Sequence, residues 1–92
     1  MGVTFEWDAK KERANFRKHG IDFTEAATVF SDPFSITIHD EPHSEQEERL
    51  LTIGNATSGR SVVAHTEREY SVRIISARLA TPNERKQYEE GD

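Results

Sequence analysis

Cysteine is absent from this 92-residue chain. Its absence excludes disulfides, a thiolate-built zinc finger and a cysteine nucleophile. Prolines number only three, and no apolar run approaches the length of a membrane span. No charged-then-apolar leader opens the sequence, so the cytoplasm is the expected compartment and no membrane contact is expected. Basic residues are missing from one long stretch: residues 21–48 carry eight acidic groups and no Lys or Arg.

What is present is a polar globular composition, 34% apolar and 32% charged, in a length that allows one domain, residues 1–92, with a modest core. The net charge of −5 argues against a nucleic-acid partner. That average hides a segregation. Residues 1–20 are net +2, residues 21–48 net −8, residues 49–80 net +3 and residues 81–92 net −2. A polyanion would find a place where the two basic blocks meet, provided the acidic block points elsewhere.

The stretch Val72–Arg78 is β-branched, with apolar residues at alternating and at adjacent positions. It reads as an inner strand covered on both faces, Val72 and Ile74 on one and Ile75 and Ala77 on the other. Arginines border it at both ends. Each guanidinium either snorkels to water, meets a carboxylate, or holds an anion.

Upstream, Val3–Trp7 alternates as a short strand. Asp8 offers an N-cap to a helix running from Ala9 to about His19, closed by Gly20. The apolar face of that helix is poor (Ala9, Ala14, Phe16), while Lys10, Arg13 and Arg17 fall near one stripe. Lys18 and His19 lie in the last turn, where the helix dipole favours cations. A second helix opens on Asp22-Phe23-Thr24-Glu25, a capping box in its Asp form, and buries Phe23, Ala26, Ala27 and Phe30. Asp32-Pro33 ends it.

Phe34–His39 alternates as a half-buried strand with Phe34, Ile36 and Ile38 inward. The acidic loop 40–48 follows. Arg49–Gly54, a hairpin connection over Asn55–Gly59, Ser61–Thr66 and the Val72–Arg78 strand then form a meander. Thr81-Pro82-Asn83-Glu84 starts a last helix, to about Glu90, with Tyr88 as its only large anchor. Such a helix is expected to be loosely held or to rest on something outside the chain. The fold class is α+β: a short N-terminal strand, two helices packed on a mainly antiparallel four- to five-stranded sheet, and a C-terminal helix.

Three constellations could carry chemistry. His39, Asp40 and His43 have spacing compatible with metal ligands, but no second pair completes a site. A Ser-His-Asp hydrolase lacks the nucleophile-elbow pattern. The third set is His19, Arg49, His65, Arg73 and Arg78, on or beside the meander. RNA cleavage without a metal or other cofactor needs a base, an acid and cations around phosphorus, which histidine and arginine supply. Strict alternation puts Arg73 and Arg78 on opposite faces, so a bulge or a strand end is needed to unite them.

The ordered motifs resemble the BrnT family of toxins. They are Phe5-Glu6-Trp7-Asp8, Lys10/Lys11, Asn15, Lys18-His19-Gly20, Phe23-x-Glu25-Ala26, Val29-Phe30-x-Asp32-Pro33, Glu48-Arg49, His65-Thr66-Glu67-Arg68, Arg73-Ile74-Ile75-Ser76-Ala77-Arg78 and Thr81-x-x-Glu84-Arg85-x-x-Tyr88-Glu89. The resemblance implies a type II toxin with a fold similar to RelE-type ribonucleases. It implies RNA cleavage without a metal and growth arrest through blocked translation. It also implies a BrnA-like antitoxin that neutralises the toxin and carries the DNA-binding domain acting on the operator. Its motifs fall on Lys18, His19, Arg49, His65, Arg68, Arg73 and Arg78.

The resulting expectation places His65 first and His19 second as proton-transfer groups. Arg49, Arg73 and Arg78 are expected on the scissile phosphate, and Lys10, Arg13, Lys18 and Arg68 along the RNA backbone. The competing expectation is a non-enzymatic binding module whose arginines match an acidic protein surface.

Overall fold

The computed structural model describes residues 2–44 and 47–91. Strand β1 (Thr4–Glu6) leads into helix α1 (Ala9–His19) and helix α2 (Phe23–Ala27), which tightens into a 3-10 turn over Thr28–Ser31. Strand β2 (Ile36–His39) and a 3-10 turn over Glu41–His43 follow. The chain then runs through β3 (Leu50–Ala56), β4 (Gly59–Arg68), β5 (Ser71–Leu79) and helix α3 (Pro82–Glu90). The five strands form one sheet in the order β1-β5-β4-β3-β2. Only β1 and β5 run parallel; the other pairs are antiparallel. The architecture is α+β, with a mixed sheet.

Successive residues of a strand face opposite sides, and β4 shows both layers. Val63 packs with Phe23 and Ala26 of α2 and Val29 of the 3-10 turn, together with Ile21, Val72, Ile74 and Ala77. Its neighbour Val62 packs with Ile53 and Ala80 on the other face, against Tyr88 of α3. The two N-terminal helices therefore cover one face and α3 covers part of the second.

Helix α1 contributes little apolar surface. Ala14 is exposed and Phe16 is 53% exposed; the one buried residue is Asn15. The sequence pattern missed it because the buried position is polar. Glu12, beside it, accepts the Phe23 amide at 2.9 Å and so docks the start of α2. The capping box of α2 is half formed. Asp22 accepts the Glu25 amide at 2.7 Å, but Glu25 reaches away to the Ser58 amide in the β3–β4 turn.

Five expectations are corrected. Phe34 does not face inward: Asp32 accepts its amide at 2.9 Å in a tight turn, leaving the ring 74% exposed. Ile38, on edge strand β2, is also exposed. The β3–β4 connection is tighter than expected, because Ala56 already pairs with Gly59 and only Thr57-Ser58 turn the chain. Alternation in β5 breaks at a bulge: Ile74 pairs with His65 and Ser76 with Ala64, so Ile75 is the extra residue. Val72, Ile74 and Ala77 consequently share the buried face, and Arg73 and Arg78 share the other. Finally, α3 is not loosely held. Tyr88 donates to Asp32 at 2.6 Å, and the Arg60 guanidinium stacks 3.7 Å from its ring centroid. The capping box of Thr81 and Glu84 is complete.

Candidate functional site

Helix α3 covers only one end of its sheet face. At the other end, where β4 finishes and β3 and β5 begin, the face is bare and forms a cleft of about 310 Å³. Arg73 and Ile75 of β5, Thr66 and Arg68 of β4, and Arg49 at the foot of β3 line it. Lys11 reaches it from the first turn of α1, and His43 and Glu47 border it from the acidic loop. Thr66 and Arg73 are directly paired across β4 and β5, which fixes the floor.

The electrostatics follow from this clustering. Asp8 caps α1 through the Lys10 and Lys11 amides at 2.8 and 3.1 Å. Those two bonds, with lesser help from the nearby Lys11 and Arg73 charges, hold the Asp8 carboxyl below its usual value. Arg73 lies 3.7 Å from Glu6, its partner in the β1–β5 register, and both side chains are partly exposed. Arg68 lies 3.2 Å from Glu47. The acidic block does not simply point elsewhere: its loop forms one wall, and a phosphate must compete with Glu47 for Arg68. His39, outside the cleft lining, sits between Glu41 and Glu48 at 3.4 and 3.0 Å.

Of the residues singled out from sequence, Arg49, Arg68 and Arg73 come together here. Lys10, Lys18 and His19 are exposed on α1. His19 lies eight residues beyond Lys11, about 12 Å further along the helix axis. Arg13 lines a separate hollow with Phe16 and Arg17. The bulge sets Arg78 on the same face as Arg73, but five residues of strand separate them by about 16 Å. Arg78 grips Glu84 with both terminal nitrogens, at 2.7 and 2.8 Å. That fork, aided by bonds from Thr81, pushes the Glu84 carboxyl down to about 2. Arg78 therefore ties α3 to β5.

His65, expected to lead proton transfer, is fully buried. Its position in β4 shares the side of Val63, which α2 covers. Phe30 meets its ring edge-on at 4.8 Å, and Nε2 bonds Thr52 Oγ1 at 2.7 Å. Thr52 in turn bonds Thr37 at 2.8 Å. No atom of this imidazole reaches the cleft. Burial pushes its pKa from 6.5 to about 4, so the ring is neutral in the folded protein near neutrality.

A stability effect follows from that shift. Between pH 6.5 and 4 the unfolded chain binds a proton at His65 that the folded chain does not. Stability is therefore lost as pH falls through this window, by roughly 3 kcal/mol in all. Denaturant titrations at pH 7.5 and 5 are expected to show the loss, and His65→Leu to flatten it. An equally steep loss in the variant would assign the effect to other groups.

Sequence reasoning missed Lys11 and His43 as members of one cleft. Lys11 appeared only within a motif, and His43 only as a metal-spacing candidate. Neither has a periodic signal that ties it to Arg73.

The model of the family described as "Ribonuclease toxin, BrnT, of type II toxin-antitoxin system" matches residues 7–84 of this chain. That span runs from Trp7 through Glu84 and includes every cleft residue named above. The chain belongs to the BrnT family of ribonuclease toxins. Membership implies RNA as substrate and an antitoxin as partner. No match to a curated protein was found. Among the described residues, no helix is long and apolar enough to cross a membrane.

Proposed function

We propose that this chain cleaves RNA at the β3–β4–β5 cleft without a metal ion, blocks translation in the cytoplasm and so arrests growth. A BrnA-like antitoxin neutralises it by covering the same cleft, and operator DNA is met only through that antitoxin's DNA-binding domain. The observation that carries this reading is the gathering of Lys11, Arg49, Arg68 and Arg73 around one cleft in a chain of net charge −5. Cations so concentrated suit a phosphodiester backbone.

The chemistry is in-line attack by a ribose 2′-oxygen on the adjacent phosphorus. The P–O5′ bond breaks, leaving a 2′,3′-cyclic phosphate and a 5′-hydroxyl. Charge builds on the non-bridging oxygens as phosphorus becomes pentacoordinate. Guanidinium forks at Arg49 and Arg73 can neutralise that charge, the task a divalent ion serves elsewhere. The need for a 2′-hydroxyl restricts the substrate to RNA.

Antitoxin-free protein incubated with RNA in EDTA tests the reading. Fragments ending in cyclic phosphate are expected. RNA left intact in EDTA, both alone and on translating ribosomes, overturns it.

A further inference from the structure

We infer that His43, oriented by Asp40, is the proton-transfer residue of this cleft, an assignment that rests on the ribonuclease reading above. Both His65 and His19 are placed away from the phosphate-binding arginines, by burial and by distance along α1. His43 is the histidine that lines the cleft with them.

The loop that carries His43 is fastened to the strand start that carries Arg49. The Asp40 amide donates to the Arg49 carbonyl at 2.9 Å. Ser44 Oγ donates to the Asp40 carbonyl at 2.7 Å and accepts the Arg49 amide at 2.9 Å. The positions of His43 and Arg49 are thus fixed relative to each other. Within the loop, His43 Nδ1 lies 3.1 Å from both oxygens of Asp40, whose side chain is only 12% exposed. A carboxylate can only accept, so it selects the tautomer with hydrogen on Nδ1. Nε2 is then the unprotonated nitrogen, and it makes no hydrogen bond among the described residues.

Nε2 takes the proton of the 2′-hydroxyl as the 2′-oxygen bonds to phosphorus, and the departing 5′-oxygen takes its proton from water. Asp40 is a positioning residue that also steadies the imidazolium formed. Besides Asp40, the charged groups that line the cleft with His43 are Lys11 from α1, Arg49 just before β3, Arg68 from β4, Arg73 from β5, and Glu47 from the loop itself. Glu47 is engaged by Arg68 at 3.2 Å, which leaves the imidazole as the base.

The test is the rate of RNA cleavage against pH for wild type, His43→Gln, His43→Ala and Asp40→Asn, each with a melting curve. His43 is exposed, so its replacement spares the core. His43→Gln is expected to lose cleavage by about 100-fold or more and to lose one limb of the pH profile. Added imidazole is expected to restore part of the rate of His43→Ala. Asp40→Asn is expected to lower kcat with little change in KM. A wild-type cut that His43→Gln leaves unchanged in rate and profile overturns the assignment alone. Wild-type protein that cuts no RNA at all overturns the ribonuclease reading beneath it.

Discussion

Replacing Asn15 by Ala is expected to remove on the order of 3–5 kcal/mol of folding stability, enough to unfold much of the protein at moderate temperature. Strand β1 pairs β5 only from Ser71 to Arg73, so the outer edge of β5 beyond that point has no strand partner. Asn15 takes the partner's place. Its side-chain amide nitrogen donates to the Ala77 carbonyl at 2.9 Å, and its oxygen accepts the Ala77 amide at 3.1 Å. The same nitrogen donates to the Ile21 carbonyl at 3.0 Å. One carboxamide thus copies a peptide group against the sheet edge and joins α1, the α1–α2 loop and β5. Truncation leaves three backbone groups buried without partners, each costing about 1–3 kcal/mol. For a domain of this size, each kcal/mol shifts the melting temperature by roughly 4–8 °C. A thermal melt of Asn15→Ala checks the claim, and a drop of only a few degrees would contradict it.

Asn15 also shows where a sequence stops being readable. Helix α1 was legible from Asp8 and Gly20, yet its only buried residue is polar, and the partner that explains it lies 62 positions away. Local pattern cannot report such a pair. Strand positions were legible from β-branched runs, and α3 from its capping box. Which face each strand residue takes was less so. In β5 the extra residue Ile75 moves Ala77 onto the buried side with Val72 and Ile74. In β4, His65 has the same local signal whether its face is covered or open. The edge contact with Phe30 of the 3-10 turn decides that question, and it removes His65 from the cleft.

The candidate site was legible in composition and only partly in position. Two basic blocks separated by an acidic one do meet, since Lys11 comes from the first block and Arg49, Arg68 and Arg73 from the other. The fold brings them together because α1 starts directly beside β5, through the β1–β5 pairing. A polyanion site at that meeting was expected only on the condition that the acidic block points away. Part of it instead forms the wall that supplies Asp40, His43 and Glu47. Arg78 looked equivalent to Arg73 in sequence, as the other arginine bordering the strand. Its difference depends on Glu84, six residues further on and presented by the first turn of α3.

That contrast gives the second large effect. Arg73→Ala is expected to lower the RNA cleavage rate by about 100-fold to 1,000-fold, the range for deleting one donor that stabilises transition-state charge. It should scarcely change stability. Its ion pair with Glu6 is long, at 3.7 Å, and half exposed, and such surface pairs contribute about 0–1 kcal/mol. Arg78→Ala is expected to behave in the opposite way. It removes a two-pronged bond to Glu84 and loosens α3. A loss of about 1–2 kcal/mol is expected, with the cleavage rate of the folded protein kept within about threefold. The measurement that tests the cleft most directly is the initial rate of RNA cleavage by these two variants beside wild type, at a temperature where melting curves show all three folded. The cleft account predicts near-complete loss in Arg73→Ala and near-wild-type cutting in Arg78→Ala. Full activity in Arg73→Ala, or loss confined to Arg78→Ala, would contradict it.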